Sequence, residues 1–514
     1  MTRSICILLG SAPLWLAGGA LAQSTADGAA ALRDGLNEML KPILGIQVQQ
    51  QPLFTGPVTV EPSGAGYTVE FPGIDLRLKG SQEKGPKSVA LRCDAQTYNA
   101  VSTGAATWRL ESSQPMNCVA EPEGEPRVTL TSRALQAHFV VDLDQKLFTE
   151  SEMRVEGVAI GQEGEAGKVT IDRVSGSSRI DPAADPSRHD VAFKMEASGL
   201  GAFDETGVER FTLGHAAYDA TMKGMDVRQV MATTGEVLDV YAEMIESMAE
   251  TGGAPGGPKP ADAMPPEMMQ KLMDPMKRMM ESYGPAGEFA GTFTDLRVKA
   301  PDVQVTIDRV RFSEGYDGAP GPKGTGALEM EMAGLALAPK PPFVEWIPTD
   351  TTIRLNASGI PWAEVGTAYM AMMEASTEQM EKPAEAEQRM AQSMMELAGI
   401  LRRAGSRLDV TAFRITAPEA AIDLGGSVQG ADAAAHGVTA DLDLRITNLD
   451  GLIKFVQGLP DGDQAAAGLT MAQVMGRQAT TDDGRPARDY DIVVDDAGKI
   501  LVNGTDLAAI APKQ

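Results

Sequence analysis

The hexapeptide VTIDRV occurs at 169–174 and again at 305–310. FKMEASGL (193–200) follows the first copy, and LEMEMAGL (328–335) follows the second. The hexapeptides are 136 residues apart and the octapeptides 135, so the two echoes keep nearly one register. Coordinated repetition of this kind predicts a supersecondary unit that occurs twice in the chain.

VTIDRV itself has the period-2 alternation of a half-buried strand, which predicts that Ile171 and Val174 face opposite sides of a sheet. Weaker echoes extend the repeat. Two further segments resemble the strand that ends at a Gly-apolar step, and they are IRLNASGI (353–360) and LRITNLDGL (444–452). LRVKAPDVQVTID (296–308) also resembles FRITAPEAAIDLG (413–425), aligned on their Ala-Pro pairs.

Short alternating runs bounded by Gly, Pro, Asn or Asp dominate the rest of the chain. Clear cases are PVTVEP (57–62), YTVEF (67–71), DLRLKG (75–80), SVALRC (88–93) and RVTLTSR (127–133). One buried and one wet face per strand favours antiparallel sheets. Near the C-terminal end, two strands flank the turn Asp496–Gly498 and predict a hairpin.

Two stretches have helical spacing instead. The first lies between 224 and 284 and is divided by the Gly/Pro-rich run TGGAPGGPKPADAMPP (251–266). The second lies between 361 and 405 and is divided by EKPAE (381–385). Each predicts a Met-rich helical hairpin inserted between strands, one per copy of the repeat. The predicted fold class is therefore mainly β with α insertions, with long curved antiparallel sheets built from duplicated meander units.

The predicted organisation has four parts. They are a signal peptide (1–22), an N-terminal β-rich region (23–150), a first β-repeat half with the helical insertion 224–284 (151–345), and a second half with the insertion 361–405 (346–514).

The N-terminus has the pattern of a secretory signal. Arg3 is followed by an apolar run that ends in Ala-Leu-Ala, which predicts cleavage after Ala22 and export to the periplasm. Beyond that segment only Cys93 and Cys118 remain, and in an oxidising compartment they are expected to form one disulfide. No later apolar run is long enough to span a membrane.

The chain has a formal net charge of −26. Such a charge repels phosphate backbones and argues against nucleic-acid binding. Aromatic residues make up only 5% of the chain, so aliphatic side chains and Met must build most of the core.

With these features together, the chain resembles the periplasmic β-repeat proteins of the AsmA/YdgA-like type, and more narrowly an alphaproteobacterial family of unknown function. The resemblance is carried by the signal segment, the ASGL and ASGI steps (197–200, 357–360) and IVVDDAGKILVNG (492–504). It implies an elongated curved sheet with an apolar groove and a role in outer-membrane lipid homeostasis or transport. It implies no catalytic residues.

No sequence pattern for catalysis is present. The chain lacks a GxSxG elbow, a Walker A loop, a dinucleotide fingerprint and a HExxH helix. We therefore predict a protein that is not an enzyme and that needs no cofactor.

Methionine gives the sharpest chemical hypothesis. Thioethers at MxxM spacing can bind Cu(I), which would involve Met273, Met276, Met279 and Met280. The same residues also suit an ordinary helix core, because Met fills irregular space. A third interpretation makes the Met-rich hairpins apolar lids over a groove, with ligand contacts from Met273, Met276, Met280, Met373 and Met394.

The sequence thus favours a non-enzymatic periplasmic protein that binds lipid or another envelope component in an apolar groove. The alternatives are a structural or protein-interaction factor with a solid core, and Met-based Cu(I) binding.

Overall fold

A computed structural model describes residues 24–48, 51–79, 88–124, 126–251, 266–378, 383–460 and 462–509. The predicted signal segment lies outside these residues. The fold is 52% strand and 24% helix, with a large curved antiparallel sheet that does not close and with helices inserted between strands. The predicted fold class is confirmed.

The first strands are short, and several of them pack against one N-terminal helix. They are β1 (Gln47–Val48), β2 (Gln51–Pro52), β3 (Thr59–Ser63), β4 (Gly66–Phe71), β5 (Ile74–Lys79), β6 (Ser88–Cys93), β7 (Gln96–Ser102), β8 (Thr107–Ser112), β9 (Asn117–Pro122), β10 (Val128–Thr131) and β11 (Ala134–Asp142).

Longer strands follow and form the extended part of the sheet. They are β12 (Leu147–Gln162), β13 (Lys168–Pro182), β14 (His189–Phe203), β15 (Glu209–Met225), β16 (Ala286–Lys299), β17 (Gln304–Asp317), β18 (Gly324–Ala333), β19 (Ala336–Ala338), β20 (Asp350–Ile360), β21 (Arg407–Thr416), β22 (Ala421–Gly430), β23 (Val438–Thr447), β24 (Arg477–Thr480), β25 (Pro486–Val494), β26 (Ile500–Val502) and β27 (Thr505–Asp506).

The helices lie at the two ends of the chain and between strands. They are α1 (Ala26–Leu44), α2 (Val227–Thr251), α3 (Pro266–Ser282), α4 (Trp362–Glu378), α5 (Pro383–Ala404), α6 (Leu449–Gln457) and α7 (Asp463–Met475), with 3-10 turns at Val344–Trp346 and Leu507–Ala509.

The sheet is one antiparallel meander in which each long strand pairs with the next along the chain. In the N-terminal part the long strands are interrupted, so that β4 and β5 are two pieces of one strand, as are β6 and β7, β8 and β9, and β10 and β11. β12 pairs with both β10 and β11. Among the described residues no ladder joins the first long strand to the last, so the sheet stays open.

A line of backbone irregularities crosses the sheet from β12 to the end of β18. We call it the kink line, and its members are Gly157, Asp172, Gly199, Gly214, Asp295, Asp308 and Gly334. Each member interrupts the ladder while the pairs on either side keep one register, as Glu156–Arg173 and Val158–Ile171 do around the first two. The breaks in the N-terminal strands continue this line, because Arg133, between β10 and β11, lies against Gly157.

The kink line explains why the chain repeats VTIDRV together with a small-Gly-Leu step. Gly199 has a φ of +65°, and a Cβ there would lie 2.1 Å from the carboxylate of Asp172. Gly334 has a φ of +71° and the same relation to Asp308. Asp from each hexapeptide therefore packs against the glycine of the following step, and only glycine leaves room for it.

The kink also overturns the strict alternation predicted for VTIDRV. Val155 and Val158 lie three residues apart, yet both are buried in the core around α1, and Ile171 packs against that core. Val174 pairs with Val155 and so shares its face. The expectation that Ile171 and Val174 face opposite sides is wrong, because both paired strands break the alternation together at the kink, so that the same apolar face continues beyond it.

The duplicated unit is visible in the order of elements. β13, β14 and β15 precede the hairpin α2–α3 and β16; β17, β18 and β20 precede α4–α5 and β21. The predicted insertions 224–284 and 361–405 correspond to these two hairpins. The Ala-Pro pairs also match in position, because Ala300 and Ala417 each donate a backbone hydrogen bond within the turn to the next strand.

Two weaker echoes occupy other places in the fold. Gly359 of ASGI lies at the other edge of the sheet from Gly334, beside the start of β18 and against Ser406 at the base of α4–α5. In LRITNLDGL the strand ends at Thr447, and Asn448 accepts a hydrogen bond from the Gly451 N–H, which caps α6. These two segments resemble the repeat in sequence without sharing its role.

The buried core is concentrated at the two ends of the sheet. At one end α1 packs into a cluster with β4, β7, β8 and β11. At the other, α6 and α7 cover β23 and β25 through Leu449, Ile453 and Tyr490. The predicted boundary at 150–151 falls inside β12, and the sheet is continuous across it.

Candidate ligand-binding face

Between the two ends, the extended sheet has one apolar side. Register places one row of side chains across it, Ser151, Ser178, Phe193, Ala220, Phe289, Glu314, Leu328, Leu355, Val410, Gly426 and Leu442. Residues two places along each strand share this side and are mostly Val, Ile, Leu, Met, Phe or Tyr. We call this side between β12 and β23 the apolar face.

The apolar face is a continuation of the N-terminal core surface. The same row runs on through Phe139 and Leu110, and Leu110 is fully buried in the core around α1. In the middle of the sheet several side chains of this face are open to solvent instead. Phe193 is 36% exposed, Met195 46% and Leu328 43%.

Strands β13 to β22 contain almost no large buried side chains. Met225 and Ile360 are their only buried hydrophobic residues larger than alanine, and both lie at strand ends. In the described residues this part of the sheet is therefore largely a single layer. At one edge Ile180, Val191 and Met222 cluster with Val227 and Val230 of α2, and the Trp362 ring of α4 contacts Tyr316. Monomeric proteins rarely leave an apolar surface of this extent open.

The opposite side, which we call the charged face, is lined with ion pairs between neighbouring strands. They include Lys194–Asp219, Arg309–Glu331, Arg354–Glu329, Arg414–Asp423 and Arg445–Asp489. The Arg445 guanidinium donates two hydrogen bonds to Asp489 and lowers the pKa of that carboxyl group. A depression of about 910 Å³ is lined by Arg354, by Arg414 with its partner Asp423, and by Arg445 with its partner Asp489.

The two helical hairpins are attached at one edge of the sheet. The Asp226 N–H donates to the Ser282 carbonyl and joins the two ends of α2–α3 beside β15 and β16. Ser406 closes α4–α5 by donating to the Gly359 carbonyl. The hairpins therefore begin and end beside the ends of the strands.

The predicted methionine positions are divided between packing and solvent. Met273 is buried, and Met276 packs with Val240 and Leu272 inside the α2–α3 hairpin. Met279 and Met373 are half-buried, and Met394 on α5 is 58% exposed. The side chain of Met280 lies outside the described residues. The structure thus places Met273 and Met276 in or beside the core of the hairpin.

The predicted Cys93–Cys118 disulfide is present, with the sulfur atoms 2.07 Å apart. The two residues are directly opposite each other on β6 and β9, beside the N-terminal continuation of the kink line.

In the described part of the chain, no group of three or more His, Cys, Asp and Glu side chains could hold a metal ion. None of the helices within the described ranges has the length and hydropathy needed to cross a bilayer.

One feature of the apolar face was missed at the level of sequence. In the described strands, Glu314 is the only Asp, Glu, Lys or Arg of the row that runs from Ser151 to Leu442. The sequence contains the pattern that could have revealed it. In the alternating positions Val310, Phe312, Glu314 and Tyr316, a carboxylate stands where the other residues are apolar.

Comparison of the chain with protein families, with curated proteins and with solved structures found no match. The apolar face is therefore the feature from which a function can be inferred.

Proposed function

We propose that this protein is an exported, non-enzymatic binder of lipid, which it holds through alkyl chains on the apolar face. The observation that carries the proposal is the stretch from β13 to β22, where no second layer of described residues covers exposed apolar side chains such as Phe193, Met195 and Leu328. Each CH₂ group removed from water contributes about 0.8 kcal/mol, so even a partly covered alkyl chain gains useful binding energy.

The dimensions of the face suit such a ligand. At the usual strand spacing, the distance from β13 to β22 is roughly 40 Å, which exceeds the roughly 30 Å hydrocarbon thickness of a bilayer. An acyl chain could therefore lie fully on the face.

The alternative of a structural factor with a solid core has less support, because the middle of the sheet lacks large buried side chains. Export is supported by the signal-like N-terminus and by the disulfide, which persists in oxidising compartments.

A matched set of variants tests the proposal. Phe193→Ser with Leu328→Ser removes two exposed apolar side chains from the apolar face. Lys194→Ser with Glu329→Ser changes the neighbouring residues, which lie on the charged face. Native mass spectrometry of protein purified from envelope fractions should detect phospholipid on the wild type and on the charged-face variant, and much less on the apolar-face variant.

A wild-type protein that carries no lipid under these gentle conditions, and gains none from added phospholipid, would contradict the proposal. So would equal retention of lipid by both variants.

A further inference from the structure

The centre of the apolar face carries an unpaired negative charge. Glu314 on β17 is exposed and lies directly opposite Phe289 on one neighbouring strand and Leu328 on the other. Within the described residues this carboxylate makes no ion pair and no hydrogen bond. By contrast, carboxylates on the charged face such as Glu329 and Glu331 are paired with arginines.

An alkyl chain alone would be a poor partner for this part of the face. Covering Glu314 removes water from its carboxylate, and an uncompensated charge under apolar groups is strongly unfavourable. The charge of Glu314 also acts on a neighbouring side chain. The pKa of Tyr218 is raised, mainly by burial and secondly by the negative charge of Glu314. A ligand that brings a positive charge to this point would remove the penalty.

Aromatic rings frame the same carboxylate. Phe312 and Tyr316 precede and follow it on the same side of β17. A Cβ on Gly291 would lie 2.2 Å from the Phe312 ring, and one on Gly287 would lie 2.6 Å from the Tyr316 ring. Because these two glycines of β16 have no side chains, the rings of Phe312 and Tyr316 fit over β16 on either side of Phe289. The Phe289 and Tyr316 rings are stacked, with their centroids 6.4 Å apart.

A carboxylate with aromatic residues at the neighbouring positions of its sheet face is a combination that recognises ammonium groups. The carboxylate supplies charge, and the rings attract the cation through their quadrupoles while they contact its carbon atoms. Leu328 and Met330, which are 43% and 41% exposed on the next strand, extend the apolar surface for an attached chain.

We propose that Glu314 and the rings of Phe289, Phe312 and Tyr316 bind the ammonium group of an amphiphile whose alkyl chain lies on the apolar face. The inference rests on the proposed function, since the chain must lie on this face. A second copy of the protein suits the site less well, because the described residues of the row from Ser151 to Leu442 include no Lys or Arg to pair with the carboxylate of that copy.

Isothermal titration with two single-chain detergents below micelle formation tests the site. Dodecyltrimethylammonium carries the cation, and dodecyl maltoside carries the same chain on a neutral head. Glu314→Gln should weaken the binding of dodecyltrimethylammonium about tenfold and leave that of dodecyl maltoside unchanged. Phe289→Leu should also weaken the binding of the cationic detergent more than that of the neutral one.

Glu288→Gln is the matched control. It removes the same charge from the neighbouring strand, but on the charged face beside Gly315. It should leave both affinities unchanged. Equal losses in Glu314→Gln and Glu288→Gln would mean a general attraction of the cation to an acidic protein and would overturn the site.

The two proposals fail in distinguishable ways. If the wild type binds dodecyl maltoside and phospholipid but shows no preference for the cation that depends on Glu314, only the ammonium site is wrong. If it binds neither detergent nor phospholipid, the proposed function is wrong as well.

Discussion

At the scale of single residues, the kink line depends on positions where only glycine fits. Gly199 combines a φ of +65° with contact to the Asp172 carboxylate, whereas Gly64 has a φ of +58° and open space around it. Both Gly199→Ala and Gly64→Ala should lower the free energy of unfolding by about 1–2 kcal/mol, because alanine is strained in the left-handed backbone conformation. Gly199→Ala should lower it by roughly 1–3 kcal/mol more, because the added methyl group overpacks the site. Urea denaturation measures both changes.

A second substitution isolates the contact. In an Asp172→Ala background, the extra cost of Gly199→Ala relative to Gly64→Ala should largely disappear, because the carboxylate is no longer there. An extra cost that persists in that background would show that Asp172 is not its cause.

The turn between β14 and β15 gives a pH-dependent prediction. Asp204 accepts hydrogen bonds from the Thr206 hydroxyl, the backbone N–H groups of Thr206 and Val208, and the Arg210 guanidinium. These bonds, with the Thr206 hydroxyl contributing most, hold the pKa of the Asp204 carboxyl well below its ordinary range. Because the folded-state pKa is lowered, the carboxylate stabilises the folded protein above the unfolded-state pKa of about 4.

Asp204→Asn should therefore be less stable than the wild type near neutral pH. The difference between the two proteins should shrink as the pH falls below about 4 and through the lowered pKa of the folded state. Urea denaturation at a series of pH values measures it, and a difference that does not change with pH would rule out this role of the carboxylate.

At the scale of elements, the disulfide joins β6 to β9 across a sequence separation of 25 residues. Cross-linking a loop of this length contributes about 3 kcal/mol in the chain-entropy view. The Cys93→Ser/Cys118→Ser variant should be less stable than the oxidised wild type by about this amount in urea denaturation. Reductant should lower the stability of the wild type and leave that of the variant unchanged.

Strands and helical hairpins were predictable because their periodicity is local. Runs such as SVALRC and the stripe of apolar residues in 224–284 each carry their own pattern. The hairpin around Asp496–Gly498 is confirmed for the same reason, with Gly498 at a φ of +79°. The kink line was not predictable in this way, because Asp172 and Gly199 become neighbours only when β13 pairs with β14.

At the scale of the whole molecule, one face is core at the ends of the sheet and open surface in the middle. Leu110 and Leu328 lie in the same row of paired residues, but Leu110 is fully buried and Leu328 is 43% exposed. Leu110→Ala should cost about 2–5 kcal/mol through lost burial and a cavity, whereas Leu328→Ala should cost less than about 1 kcal/mol. Thermal or urea unfolding of the two variants compares them directly.

A comparable loss in Leu328→Ala would mean that a further element of the folded protein covers the middle of the face. That result would weaken the case for a ligand there, since the apolar surface would already have its partner.

The sequence by itself determined the strand-rich class, the duplicated unit, the two helical hairpins and the cysteine pair, because periodicity, repetition and cysteine count are properties of the chain. Only the tertiary structure decided that Asp172 packs against Gly199, that the kink keeps Ile171 and Val174 on one face, and that Glu314 lies alone among apolar side chains. These relations join residues on different strands, and strand register, which packing of the whole sheet fixes, creates them.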